Sequence, residues 1–364
     1  MIIPDGFLLS GLHCGLKRKN LDLGLIYIYD FAKAIGFFTP NVNPSYSVTL
    51  SRKHINNQIR AVIVNSGNAN CYSHKQGLKD TKEIVSALAK YLNIKSSDVL
   101  IASTGIIGKK LKKNNIIKNI PNLVKSLINE GDDFSQSLLT TDTFTKQAAV
   151  KIKLKVKTAT ISGFAKGAGM IYPNMATMLG FILTDVDLPK SLFKKIAKAA
   201  LDESFNSISV DGCTSTNDTV FFLSSRKVSL KTKKDIDCFS LKLKDVCLKL
   251  AKLIVKDAEG ASKFLEIEIK GAKTKLEAKK AGFSLANSSL FKCAIYGANA
   301  NWGRIIASLG QAGIKVSEDI SIKAGNLKKK NIKIAVDLKR GKSGATIYTS
   351  DLTPKYIKIN AEYN

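Results

Sequence analysis

Between Lys166 and Asp185 the chain runs from Gly167 to Thr184 without one charged side chain. So long an uncharged stretch belongs in a bilayer or in a protein core. A membrane span needs about 18 or more predominantly apolar residues in an unbroken helix. This run barely reaches that length and is interrupted by Pro173, Asn174 and three glycines, Gly167, Gly169 and Gly180. It is therefore expected to be a core segment. Inside it, Thr177 directly follows the small residue Ala176. One reading is a plain buried strand or helix. The other is a hydroxyl placed to attack the peptide bond just before it. In that case an N→O acyl shift and ester hydrolysis leave Thr177 as a new N-terminus. Its α-amine, with an ordinary pKa of about 7.7–8.0, then acts as general base for its own hydroxyl. Taken alone, the residues favour the plainer reading.

A chain of 364 residues is long for one core and suits two closely joined lobes. The N-terminus, Met1-Ile-Ile-Pro-Asp-Gly, has neither the basic nor the apolar region of a signal peptide. The six cysteines (14, 71, 213, 238, 247 and 293) are scattered without a CxxC pair. That pattern suits reduced thiols in a cytoplasmic protein. Cys71 and His74 carry half of a zinc spacing and no second half, so no metal is expected.

The net charge of +28 invites a nucleic-acid reading. Yet the excess is almost entirely lysine, with six arginines at 18, 52, 60, 226, 304 and 340. It is spread along the chain, without the arginine forks that read phosphates and base edges. A solvated surface rich in lysine, as an AT-rich genome produces, accounts for it more simply. Neither a specific nucleic acid nor a membrane is expected as partner. The three histidines, His13, His54 and His74, read as surface or loop residues.

Periodicity places a buried strand at 60–64 running into an Asn/Gly turn at 65–70. An amphipathic helix follows from about Asp80 to Leu92, then a short strand at Val99–Ala102 that ends in Ser103-Thr-Gly. Alternation at Val150, Ile152, Leu154 and Val156 marks a half-buried strand that pairs with 159–163. A helix runs from Pro189 to Phe205, with Asp187 and Pro189 suited to its N-terminus. Another covers roughly 239–256. Leu265, Ile267 and Ile269 alternate as a strand. Residues 283–293 and 302–312 look helical, and Ile332, Ile334, Val336 and Leu338 alternate again. No linker stands out, and the softest boundary is the charged stretch Lys270–Lys280.

The block Lys166-Gly-Ala-Gly-Met-Ile-Tyr-Pro-Asn-Met-Ala-Thr-Met-Leu179 resembles the self-cleaving centre of the bifunctional ornithine acetyltransferase / N-acetylglutamate synthase family of arginine biosynthesis. Further blocks agree in order: Asn65-Ser-Gly-Asn-Ala-Asn-Cys71, Ser103-Thr-Gly-Ile-Ile-Gly108, Thr140-Thr-Asp-Thr143, Val210-Asp-Gly-Cys-Thr-Ser-Thr-Asn-Asp218, Asp257-Ala-Glu-Gly-Ala-Ser-Lys263, Asn301-Trp-Gly-Arg304 and Ile359-Asn-Ala-Glu-Tyr363. The resemblance implies an α/β fold, an αββα sandwich with a smaller α+β C-terminal lobe. A core over 1–270, cleaved between Ala176 and Thr177, is expected to precede a lobe over 271–364 whose tail returns to the active site. The implied activity is glutamate N-acetyltransfer from N2-acetylornithine through an acetyl-enzyme on Thr177. No cofactor is implied, although acetyl-CoA is a second conceivable donor. The implied assembly is a heterotetramer of two copies of each cleaved half.

The same resemblance gives roles to single residues. The Thr104 hydroxyl and Gly105 amide would form the oxyanion hole, where Ser-Thr-Gly alone reads equally well as a strand-to-loop turn. Lys166 and Glu259 would hold the charged groups of the substrate. Taken singly, they read as a solvated charge and a helix-end turn. Thr140 matches a substrate contact, with Thr141 or Thr143 as substitutes if the alignment slips. Asn360 matches another, against the plainer reading of an edge strand ending in polar residues. Trp302 and Arg304 read first as a structural turn and second as site elements. The chain departs from the pattern at Asn299, where an acidic residue is usual, and in the basic run after Gly108. It also ends before a Ser or Thr expected five residues beyond Asn360. An N-terminal-nucleophile aminopeptidase or amidase of similar architecture is the alternative enzyme, and a lysine-rich nucleic-acid-binding protein the alternative outside enzymes.

Overall fold

The computed structural model describes residues 1–154, 157–172 and 178–362. In the first part of the chain, β1 (Phe7–Leu12), β2 (Leu23–Phe38), β3 (Ile59–Asn68) and β4 (Val99–Ile106) alternate with helices α1 (Tyr46–His54) and α2 (His74–Leu92). Helices α3 (Lys113–Lys125) and α4 (Asp132–Leu138) follow. The next part holds β5 (Lys146–Lys153), β6 (Thr158–Lys166), β7 (Leu179–Asp187), α5 (Lys190–Asp202), β8 (Thr219–Ser229) and α6 (Lys233–Lys256). The eight strands join in the order β4-β3-β2-β8-β7-β6-β5, with β1 paired to β2.

Strand β2 turns this sheet into two layers. Its first half pairs with β1 and β3, and its second half, beyond a register break between Tyr27 and Ala32, pairs with β8. The two halves of the sheet then face each other. Val62, Val64, Leu100 and Ala102 from one side meet Phe164, Phe181, Leu183 and Phe221 from the other in a shared core. Phe134 of α4 stacks edge-on against Phe164 and Phe181, each at 5.3 Å between ring centroids. Such pairs add about 0.5–1.5 kcal/mol beyond their burial.

The alternate residues of the same strands point outward and are buried as well. Ala61, Ile63, Val99 and Ile101 lie under α2 and α3. Ile161, Ile182, Val220 and Phe222 lie under α5 and α6. Four layers result, helix–sheet–sheet–helix, as the αββα expectation has it. Burial on both faces explains why these strands read as continuous apolar runs and not as alternations.

The chain continues through β9 (Phe264–Ala272), α7 (Lys275–Ala286), α8 (Ser289–Tyr296), α9 (Gly303–Gln311), β10 (Ser321–Ala324), β11 (Asn331–Asp337), β12 (Ser343–Ser350) and α10 (Pro354–Ala361). Here a four-stranded sheet in the order β10-β11-β9-β12 carries α7, α8 and α9 around its own core. The expected division at residue 270 falls inside β9, which pairs wholly within this second sheet. The stretch 270–280 is the end of β9 and the start of α7, not a linker.

Several local expectations shift for identifiable reasons. The single helix expected over 283–293 is two, because Ser288 caps the start of α8 by accepting the Phe291 N–H. Leu154 lies just beyond β5, and Val156 falls outside the described residues. Asp187 serves no helix terminus, since its carboxylate binds Lys33 Nζ at 2.6 Å. The tail around Asn360 is the helix α10, capped by Thr353 and opened by Pro354, not an edge strand. Among the described residues no helix is long and apolar enough to cross a membrane, and no cluster of His, Cys, Asp and Glu could hold a metal.

Candidate active site

Pro173 to Thr177 lie outside the described residues, so the expected scissile pair Ala176–Thr177 is located only through its flanks. Both flanks are gripped by one loop. On the upstream side the Asp211 carboxylate accepts the backbone N–H groups of Met170 at 2.6 Å and Ile171 at 2.9 Å. On the downstream side Asp218 accepts the Met178 N–H at 2.9 Å, just before β7 begins. Both carboxylates belong to the Val210–Asp218 block.

Thr104 sits near the end of β4, where its parallel pairing with β3 shifts register, and it is buried. Asn65 and Ser103 tie the two strands together there, the Ser103 hydroxyl donating to Asn65 Oδ1 at 2.7 Å. Asn217 adds a cross-link by donating to the carbonyls of Ala69 at 2.6 Å and Ser103 at 2.8 Å. Lys166, at the end of β6, donates to the Thr104 hydroxyl oxygen at 3.2 Å. A hydroxyl that accepts from lysine keeps its own hydrogen to donate elsewhere. Gly105 follows with φ +128°, and a Cβ there would come within 2.3 Å of the Gly67 carbonyl carbon. Only glycine fits this close crossing of backbones.

Behind Lys166 stands a buried ionic cluster. Lys146 Nζ lies 2.6 Å from both Asp142 and Asp257, with side chains 0–2% exposed. Asp142 also accepts the Gly167 N–H at 2.7 Å and lies 3.9 Å from Lys166. Burial alone would raise the Asp142 pKa. The charges of Lys166 and Lys146 and the Gly167 N–H outweigh it and hold the carboxyl well below the usual range. Lys166 is pushed below its ordinary value, chiefly by burial and then by Lys146, against the pull of Asp142, Glu259 and Asp218. The cluster thus sets the buried Lys166 side chain against the Thr104 hydroxyl.

Glu259 lies across from these groups, at the end of the segment after α6. Its backbone N–H donates to Ala168 at 2.9 Å. Its carboxylate lies over Gly169 so closely that a Cβ there would be 2.3 Å from Oε2. Asn360 of α10 donates its side-chain amide to Glu259 Oε2 at 2.9 Å. The C-terminal tail therefore returns to the 166–170 strand end.

Thr140 turns its backbone N–H towards Asp142 at 3.1 Å and its hydroxyl at 3.5 Å. Thr143 is committed elsewhere, because its N–H and hydroxyl both donate to Asp257. Thr104, Gly105, Thr140, Lys166, Glu259 and Asn360 are thus brought into one neighbourhood. Trp302 and Arg304 are not part of it. Trp302 packs on the core of the small lobe and Arg304 donates to the Leu290 carbonyl. His13 binds the Asn20 carbonyl and Asp22, and His54 the Val99 carbonyl.

Reasoning from sequence missed Lys17, Asp142, Lys146, Asp211, Asp218 and Asp257. The Lys17 ammonium donates to the Leu139 carbonyl at 2.7 Å, and burial lowers its pKa to about 8. Its Cγ abuts Gly67, so it stands between Gly105's neighbour and Thr140's. In a chain of 57 Lys and Arg residues nothing in the sequence distinguishes it. The aspartates did stand in the matched blocks, and that was the signal available for them.

The chain is similar over nearly its whole length to proteins of known name. The glutamate N-acetyltransferase of Methanocaldococcus jannaschii is 40% identical over 99% of this chain and 97% of that protein. The arginine biosynthesis bifunctional protein ArgJ of Oceanobacillus iheyensis is 38% identical over 99% and 95%. Among solved structures, ornithine acetyltransferase from Mycobacterium tuberculosis, complexed with ornithine, is 30% identical, covering 47% of this chain and 92% of that one, with a TM-score of 0.42. The model of the ArgJ family matches residues 8–364, and the chain belongs to that family.

Proposed function

We propose that this protein is a self-cleaving acyltransferase that moves the acetyl group of N2-acetylornithine to glutamate, in arginine biosynthesis. The observation that carries the reading is the buried Lys166–Thr104 contact at 3.2 Å. A hydroxyl donor backed by a buried lysine suits the oxyanion of an acyl transfer. The names of the relatives, a glutamate N-acetyltransferase and an arginine biosynthesis bifunctional protein, support glutamate as acceptor and the place in arginine biosynthesis.

In self-cleavage the Thr177 oxygen adds to the Ala176 carbonyl and its proton passes to the Thr177 nitrogen, whose bond to carbon breaks. Water then hydrolyses the ester, giving chains 1–176 and 177–364. In transfer the freed amine takes the Thr177 proton as the oxygen attacks the acetyl carbonyl. The Thr104 hydroxyl and the Gly105 N–H hold the oxyanion, and losing one such donor costs about 10²–10³ in rate. The proton leaves with ornithine. The amine of glutamate then attacks the acetyl-Thr177 ester, regenerating the hydroxyl. Lys166 suits the substrate carboxylate and Glu259, oriented by Asn360, its ammonium, with Thr140 closing the pocket. The two halves stay together and pair into a heterotetramer in the cytoplasm, without a cofactor.

Intact mass spectrometry beside a Thr177→Ala variant tests the nucleophile. Two fragments in the wild type and one uncut chain in the variant are expected. Acetyl transfer from acetylornithine to glutamate without release of acetate is expected of the cleaved protein. Release of acetate instead would identify an amidase, and acetylation of glutamate by acetyl-CoA would add a second donor. An uncut wild-type chain overturns the reading.

A further inference from the structure

Lys17 is held firmly in place yet has no counter-charge. Asp22, a buried residue, organises its loop, and the Asp22 carboxylate accepts the backbone N–H groups of Cys14 at 2.6 Å, Leu16 at 2.7 Å and Lys17 at 2.9 Å. The Asp22 carbonyl accepts the Ser66 N–H of β3 at 2.9 Å, which ties this loop to the strand end. Lys17 is thereby laid against Gly67, where a Cβ would come within 2.9 Å of Lys17 Cγ. Gly67 is also the residue whose backbone crosses Gly105. From there the half-buried side chain reaches the Leu139 carbonyl at 2.7 Å, one residue before Thr140. An ammonium carries three donors. Among the described residues Lys17 Nζ makes that one hydrogen bond and no ion pair. A partly desolvated cation without an anion is costly, so its retention points to an anionic ligand.

The two substrates of the proposed reaction differ in charge. N2-acetylornithine brings one carboxylate and one ammonium, for which Lys166 and Glu259 suffice. Glutamate, with its attacking amine uncharged, brings two carboxylates and calls for a second cation. Lys146 cannot serve, because Asp142 and Asp257 enclose it at 2.6 Å. Lys17 stands near enough for its charge to interact with those of Lys166 and Asp142, and it is unpaired. We propose that Lys17 binds the side-chain carboxylate of the acceptor and so selects glutamate over uncharged amino acids. This inference rests on the transfer reaction proposed above and names the residue that chooses its acceptor.

The surroundings are consistent with this role. One Nζ hydrogen is held by the Leu139 carbonyl, which fixes the head group. The other two remain for a carboxylate, in charge-assisted hydrogen bonds. Burial lowers the Lys17 pKa to about 8, with Lys166 acting in the same sense and Asp22 and Asp142 against it. An arriving carboxylate favours the charged form of such a lysine, and the ammonium of the donor favours the neutral form. One side chain thus attracts the acceptor without excluding the donor.

The test measures acetyl transfer to glutamate and to glutamine, which has the same shape without the side-chain charge. In a ping-pong cycle the kcat/KM values of donor and acceptor report separate half-reactions, so the two are read apart. Wild type is expected to prefer glutamate by about tenfold or more in kcat/KM. Lys17→Met is expected to lower kcat/KM for glutamate by about ten- to a hundredfold, the worth of a hydrogen bond between charged groups, chiefly through KM. Its kcat/KM values for glutamine and for acetylornithine are expected to stay within about threefold of wild type, with self-cleavage unchanged. Lys17→Arg, which keeps the charge, is expected to restore part of the preference. Should methionine disturb the loop, Lys17→Gln, which can still donate to Leu139, is expected to lose the preference in the same way. A wild-type ratio of glutamate to glutamine in the uncharged variants overturns the proposal. So does an equal loss for acetylornithine and glutamate, which would assign Lys17 to a carboxylate common to both. A wild type indifferent between glutamate and glutamine overturns it as well. A wild type that transfers no acetyl group from acetylornithine to either acceptor removes the reaction itself, a failure distinct from these.

Discussion

Asn360 donates to the Glu259 carboxylate at 2.9 Å across 101 positions of sequence. The bond joins the last helix to the catalytic core and fixes the orientation of a carboxylate that lies against the backbone of Gly169. Asn360 is exposed and its helix holds no buried residue, so the contact serves the site more than the fold. Asn360→Ala is expected to leave self-cleavage and melting temperature unchanged. It is expected to lower kcat/KM for acetylornithine about tenfold, the lower end for a hydrogen bond to a charged group. An unchanged kcat/KM would remove Asn360 from the site.

Gly105 and Gly108 both have positive φ, +128° and +82°, yet they should answer substitution differently. A Cβ at 105 runs into the backbone of Gly67 and Asn68, whereas one at 108 meets nothing within 4 Å. Gly108→Ala is expected to cost about 1–2 kcal/mol of backbone strain and to leave cleavage and transfer intact. Gly105→Ala must push β3 and β4 apart beside Thr104, and a drop of about 10²–10³ in transfer rate is expected from the displaced donor. Rate and denaturation measurements on the pair check this. Equal behaviour of the two variants would mean that the crossing does not set the donor geometry.

Lys146 is enclosed with Asp142 and Asp257. Lys146→Met fits the space but strands two buried carboxylates, and a loss of about 3–5 kcal/mol is expected at pH 7. The sign with pH follows from Asp142, whose folded pKa lies below its unfolded value of about 3.9. Its contribution is present above that value and is lost as pH falls through the folded one. The gap between wild type and variant should therefore narrow below about pH 4. Urea titrations at pH 7 and in acid measure it, and a gap that stays constant would contradict the assignment.

Lys292 of α8 is buried and donates to the Val210 carbonyl at 2.6 Å and the Thr349 hydroxyl at 3.2 Å, tying the small lobe to the loop that grips the cleavage segment. Burial lowers its pKa to about 8, against about 10.4 when unfolded. Between these values the unfolded chain binds the extra proton, so this residue makes stability rise with pH across that window. Stability of wild type relative to Lys292→Met should climb by roughly 3 kcal/mol from about pH 8 to about 10.4. Parallel curves for the two proteins would show that Lys292 is not held in this way.

The strands and helices were legible wherever burial is regular. The alternation over 265–269, for instance, came from Leu265, Ile267 and Ile269 packing under α7 on one face of β9, with Glu266 and Glu268 on the other. The run Leu179–Thr184 declared its burial but not its neighbours, because a strand covered on both faces carries no period to read. The split of 283–293 into two helices depends on one serine cap, a signal too local to override apolar spacing.

The site divides in the same way. The sequence by itself determined the chemical kinds of group: a threonine after a small residue in an uncharged run, a Thr-Gly step at a strand end, and a lysine, a glutamate and an asparagine in ordered blocks. Those are local properties, set by residue type and spacing. Only the tertiary structure decided that Lys166 leans on Thr104, that Lys146 is locked between Asp142 and Asp257, and that Asp218 is buried against the Met178 N–H. A charged side chain looks the same in sequence whether it meets water or another charge. Its role is fixed by which groups long-range packing removes from solvent together.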